Sequence, residues 1–106
     1  MYISIRRYSG VKLDTLDEIV HRIEAELHPS LSAMPGFVAY YLLDECDGVL
    51  AAVSFFASQT TAENADRVTA AWVQERAATW LAMSPQITLG RVRLASPDYR
   101  NFPVVC

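Results

Sequence analysis

Phe37-Val38-Ala39-Tyr40-Tyr41-Leu42-Leu43-Asp44-Glu45-Cys46-Asp47-Gly48-Val49-Leu50-Ala51-Ala52-Val53-Ser54-Phe55-Phe56 is two apolar runs joined by an acidic turn that ends in glycine, the pattern of a β-hairpin. Neither run alternates cleanly between apolar and polar residues. If Phe37, Ala39, Tyr41 and Leu43 point to one side, Val38, Tyr40 and Leu42 point to the other, so both faces of the hairpin must leave water. Helices elsewhere in the chain can cover one face. What remains for the other is a second copy of the chain, so a homodimer is expected.

The flanking segments supply those helices and two further strands. Tyr2 to Tyr8 is rich in β-branched and aromatic residues, with Ile3 and Ile5 on one face, and reads as a strand ended by Ser9-Gly10. From Asp14, an N-cap candidate followed by Asp17 and Glu18 in the first turn, Leu16, Ile19, Val20, Ile23 and Leu27 recur at helical spacing. Pro29 is expected to kink or end that helix, and Met34-Pro35-Gly36 turns the chain into the hairpin. Beyond Phe56, Thr60 and Glu63 have capping-box spacing, and a helical stripe through Ala65, Val68, Trp72, Arg76 and Trp80 runs to about Ala82. Ser84-Pro85 stops it, and Ile87 to Leu94 reads as the last strand.

The order strand, helix, strand, strand, helix, strand implies an α+β, ferredoxin-like βαββαβ fold, an antiparallel four-stranded sheet with both helices on one face. Two such sheets joined through their bare faces make a dimeric α+β barrel. The domain is expected to span residues 1–95, and residues 96–106, with Pro97 and Pro103, form a C-terminal tail without helical or alternating pattern.

Composition narrows the partners. A chain of 106 residues has room for one core, and its 52% hydrophobic content suits an obligate oligomer. A net charge of −3 and dispersed basic residues, eight Arg and only Lys12 as Lys, argue against nucleic acid as a partner. The opening Met-Tyr-Ile-Ser-Ile-Arg-Arg-Tyr places charge too early for a secretory leader, and no apolar run is long enough to span a bilayer, so the expected location is cytoplasmic, without membrane association. Cys46 in the turn and Cys106 at the last position make up neither a disulfide framework nor a zinc ligand pair. His21, Glu24 and His28, at i, i+3, i+7, read as the polar flank of the first helix rather than a metal site, and Asp44, Glu45 and Asp47 as a solvated turn. There is no glycine-rich phosphate loop, Gly-x-Ser-x-Gly or Cys-x-x-Cys.

Pro35-Gly36-Phe37 leading into the second strand, the Tyr40-Tyr41 pair, Phe56-Ala57-Ser58 leaving the third, and Ala71-Trp72-Val73 in the second helix resemble the antibiotic-biosynthesis-monooxygenase family of dimeric α+β barrels. The resemblance covers about residues 1 to 95. It implies oxidation of aromatic substrates by O2 without metal or flavin, or haem degradation, although other proteins on the fold are not oxygenases. In quinone-forming members a Trp closes the third strand, where Phe56 stands here. Haem-degrading members carry an Asn on the first strand and a Trp and a ligating His on the second helix. Here the first strand has Ser4, Arg6 and Arg7 but no Asn, and the second helix has Trp72 and Trp80 but no His, which disfavours haem.

The expected activity is therefore a cofactor-independent, monooxygenase-like reaction on a small aromatic or quinol substrate, with no cofactor and no metal. The alternative is a non-catalytic ligand-binding or stress-associated dimeric barrel, and an isomerase or decarboxylase would need an acid or base that no residue clearly supplies. Any site should lie between helices and sheet, and no catalytic residue is assigned. Asn64, Val68 and Trp72, at i, i+4, i+8, present one helical stripe that can be a ligand wall or ordinary core. Tyr41, expected on one face with Ser54 and Phe56 if the hairpin loop has an even number of residues, can donate to a substrate oxyanion or anchor the core or interface. Phe56 shapes the pocket. Arg7 can neutralise an anionic substrate or simply pair with a carboxylate.

Overall fold

β1 (Tyr2–Tyr8), β2 (Phe37–Asp44), β3 (Leu50–Phe56) and β4 (Gln86–Arg91) form one antiparallel sheet in the order β2-β3-β1-β4. This is the ferredoxin-like α+β arrangement expected from the order of elements. The computed structural model describes residues 1–95. The tail expected at 96–106, and with it Cys106 and the reading of the two cysteines, lies outside the described residues. Among the described residues no helix is long and apolar enough to cross a membrane.

The helical layer differs in detail from the sequence reading. A 3-10 turn, Leu13–Thr15, precedes α1 (Leu16–Arg22), and Asp14 lies inside that turn rather than capping the helix. α1 runs through a π turn, Ile23–Leu27, into α2 (His28–Ser32). Pro29 does not end the helix, because it falls in the first turn of α2, where its missing N–H is not needed. α3 (Gln59–Trp72) is capped two residues earlier than expected: the Ser58 hydroxyl accepts from the Thr61 N–H at 3.2 Å. It continues as a second π turn, Val73–Ala77, and the helix stops there rather than near Ala82. β4 likewise ends at Arg91 rather than Leu94.

One face of the sheet carries the helices. Tyr8, Leu50 and Phe56 are buried on it against Ile19, Ile23, Leu27, Leu31, Ala62 and Ala65. Phe37 meets Phe56 edge to face, with ring centroids 6.2 Å apart. Among the described residues no helix lies over the opposite face: Tyr41 and Leu43 are 57% and 46% exposed, and Ile3, Ile5, Val53 and Phe55 are half-buried beside them. Gly48 closes the hairpin at φ +78°, and a Cβ there would come within 2.7 Å of the Val11 carbonyl oxygen. No other residue fits that approach.

The hairpin register decides which side chains face the helices. Asp44 pairs with Leu50, so five residues, Glu45 to Val49, form the loop, and Tyr41 pairs with Val53 while Tyr40 pairs with Ser54. The loop is odd-numbered. Tyr41 therefore lies on the open face, and the expected sharing of a face with Ser54 and Phe56 belongs to Tyr40. A bulge between Phe37 and Ala39 shifts the register again, which puts Phe37 opposite Phe56.

Candidate functional site

Along β1 the helix-facing positions are Ser4, Arg6 and Tyr8, and all three are buried. They pair with Ser54, Ala52 and Leu50 of β3. Small side chains at 4, 52 and 54 leave room under the helices, and Arg6, only 6% exposed, occupies it. A buried guanidinium needs partners. Its Nε donates to the Tyr8 hydroxyl at 3.1 Å, and its Nη1 forms an ion pair with Asp66 of α3. Burial by itself lowers the pKa of Arg6, but the hydrogen bonds to Tyr8 and then to Asp66 outweigh it, and the group is held charged above its ordinary value.

Those two contacts leave the guanidinium's second amino group without a protein partner among the described residues. Arg6 lines a cavity of about 330 Å³ between α3, its π turn and the segment before β4. Val73, Leu81 and Met83 provide apolar wall, and Gln74 and Ser84 provide polar groups. Chemically this is a charged, oriented hydrogen-bond donor at the edge of a space with both apolar and polar walls, suited to an oxygen carrying negative charge. Among the described residues no group of three or more His, Cys, Asp or Glu side chains can hold a metal ion.

The five residues singled out from sequence divide between the two sides of the sheet. Phe56 is 1% exposed and lies in the helix-facing core. Trp72 is half-buried against that core, but its indole N–H turns toward α1 and the π turn after it, donating to Glu26 Oε1 at 3.3 Å. Asn64 is half-buried and its amide oxygen accepts from Arg67 of the same helix, while Val68 is 39% exposed. The buried stripe of α3 runs instead through Ala62, Ala65 and Thr69. Tyr41 is on the open face, edge to face with Phe55 at 6.1 Å. Arg7 shares that face with Ile3 and Ile5 and is paired to Glu45 of the hairpin turn, Nε to Oε2 at 2.6 Å.

Arg6, Tyr8, Asp66 and Tyr40 are the polar residues on the helix side that the sequence reading passed over. The pairs Arg6-Arg7 and Tyr40-Tyr41 were visible, and the parity of each decides which member faces inward. Tyr8 was the available signal. As the last large apolar residue of β1 it belongs to the core, and Arg6, two residues before it, must share its face. Burial pushes the Tyr40 hydroxyl far above its ordinary pKa, which keeps it a neutral donor.

No family model matches the sequence, and no curated protein matches it. Solved structures do. A monooxygenase, ActVA-Orf6 of Streptomyces coelicolor, in complex with nanaomycin D superposes with a TM-score of 0.74 at 14% identity, covering 92% of each chain. SnoaB, a cofactor-independent oxygenase from Streptomyces nogalater, gives 0.66 at 19% identity over 92% of this chain and 97% of its own. The haem degrader MhuD of Mycobacterium tuberculosis, with two haems in its active site, gives 0.69 at 18% identity over 91% and 99%. At these identities the likeness establishes the fold: this chain has the fold of the antibiotic-biosynthesis monooxygenases, shared by oxygenases that differ in what they bind.

Proposed function

We propose that this chain, which has the antibiotic-biosynthesis-monooxygenase fold, is a cytoplasmic, cofactor-independent oxygenase acting on a small phenol or quinol in the Arg6 cavity. The observation that carries the reading is the buried Arg6 guanidinium, held by Tyr8 and Asp66, at the edge of a cavity with apolar and polar walls. A phenol that binds there loses its proton more readily, because the cation stabilises the phenolate. Electron-rich phenolate carbon then reacts with O2. A C–O bond forms at the ring carbon, a C–H bond breaks, and one oxygen leaves as water, so that phenol plus O2 gives quinone plus water. The substrate supplies the electrons, and the protein supplies orientation, dryness and the deprotonated state. Phe56, Asn64 and Trp72 belong to the surrounding helix-side layer in this reading, while Arg7 and Tyr41, on the other face, lie outside the site.

That other face supports a homodimer. Tyr41, Leu43, Ile3, Ile5, Val53 and Phe55 make an apolar sheet surface that no helix covers among the described residues, and a second sheet laid over it completes a barrel.

The test is O2 uptake with a panel of hydroquinones and polycyclic phenols, comparing wild type with Gln74→Leu and Arg6→Gln. Wild-type turnover, with KM raised in Gln74→Leu and kcat lost in folded Arg6→Gln, is expected. Turnover unchanged in both variants would put the chemistry elsewhere. Saturable binding without O2 uptake would instead favour a non-catalytic ligand-binding barrel.

A further inference from the structure

A second cavity, of about 240 Å³, opens between the first helix and the edge strand β2, bounded by Val20, Ile23, Glu24, His28, Tyr40 and Leu42. It shares no lining residue with the Arg6 cavity. Three polar side chains border it, and none of the three makes a hydrogen bond or ion pair among the described residues: Glu24, His28 and Tyr40. Two acids of the same helical run are paired, Glu18 and Glu26 to Arg22 and Glu26 also to Arg76, whereas Glu24, like Asp17, has no cation among the described residues.

Local structure accounts for the grouping. The His28 N–H bonds to the Ile23 carbonyl, a π turn of the kind found often at functional sites, and Glu24 and His28 both lie at the cavity. His28 is held edge-on to Phe37, with centroids 6.2 Å apart, and tilted against Tyr40 at 6.0 Å. The remaining wall is aliphatic. A cavity of about 150 Å³ already admits benzene, so this one accommodates a substituted ring.

Charge selects among ligands. Among the described residues no Lys or Arg lines the cavity, so an anion would face Glu24 without a Lys or Arg to compensate. An ammonium gains a charge-assisted hydrogen bond to Glu24 and the attraction of the Tyr40 ring. We infer that this cavity binds a small amine on a ring-sized apolar body, its ammonium on Glu24 with His28 and Tyr40 beside it, its body against Val20, Ile23 and Leu42.

The experiment titrates the 15N-labelled full chain at neutral pH with 2-phenylethylamine, 2-phenylethanol and phenylacetate, following amide shifts by NMR. The amine is expected to saturate shifts at Ile23, Glu24 and Leu42 about tenfold more tightly than phenylacetate, with the alcohol between them. Glu24→Gln should weaken the amine about fivefold, to the level of the alcohol, without moving the shifts from Leu42. Val20→Trp should fill the cavity and abolish all three. Equal binding of amine and carboxylate, an undiminished amine preference in Glu24→Gln, shifts confined to residues around Arg6, or no saturation by about 10 mM would each overturn the inference.

Discussion

The two faces of this sheet have similar apolar content and opposite fates. On the helix side the residues are uneven in size: Tyr8, Leu50 and Phe56 fill the core, while Ser4, Ala52 and Ser54 leave room for Arg6 and its partners. On the open side Ile3, Ile5, Val53, Phe55 and Tyr41 stand among the smaller Ala39 and Ala51, and the one charged residue of β1 there, Arg7, is paired at the hairpin end with Glu45. Uneven packing makes cavities and chemistry. An apolar surface whose charge is already paired at its end is suited to an interface, because another such surface can match it without buried charge to satisfy.

The largest test of that contrast is a charge on the open face. Val53→Asp should leave the protein aggregated or without a cooperative unfolding transition, since in an obligate dimer folding and association are one equilibrium. Sedimentation of wild type at about micromolar concentration as a well-folded monomer would show that the open face needs no partner.

Next in size is the helix-side core. Phe56→Ala should cost about 3 to 5 kcal/mol in denaturant unfolding, because Phe37 and the helices cannot close fully over the gap. A cost under about 1 kcal/mol would mean the layer is loosely packed around its cavities.

Asp66→Asn probes the buried polar group on the same face. Removing the charge while keeping the shape leaves Arg6 without its counter-ion, and about 2 kcal/mol of lost stability is expected, less than for a fully buried pair because Asp66 is 24% exposed. Arg7→Gln, on the open face and exposed, should leave stability nearly unchanged, because solvent screens its pair with Glu45. Equal effects from the two substitutions would erase the distinction between the faces.

The smallest expected effect is an acid-side slope. Glu26 joins the two helical segments, and Arg76, with Trp72 and Arg22 adding to it, holds its carboxyl below the ordinary carboxylate range against a smaller opposing effect of burial. A folded-state pKa below the unfolded one means the unfolded chain binds more protons in this window. The contribution is therefore present above the ordinary carboxylate pKa and is lost as pH falls through the folded value. Thermal melts between neutral and acidic pH should show a shallower decline in Glu26→Gln than in wild type. Parallel curves would remove Glu26 from the account.

Hydrophobic periodicity alone was sufficient for the element order and thus for the sheet topology: the runs at 37–43 and 49–56, the stripe from Leu16 to Leu27 and the signals at Ser84-Pro85 are local patterns, and right-handed crossovers leave few ways to connect them. The apolar character of both hairpin faces was equally legible. Which face each residue occupies was not, because strand parity depends on counting residues through a turn and a bulge, and one residue more or less inverts every side chain. Five loop residues instead of an even number exchanged Tyr41 for Tyr40. β1, where Tyr8 belongs to the core, placed Arg6 rather than Arg7 beneath the helices. The partnership of Arg6 with Asp66, sixty residues away in sequence, and the meeting of Glu24 and His28 with Tyr40 over one cavity exist only once helix and sheet are docked, since no local pattern encodes a contact between segments far apart in sequence.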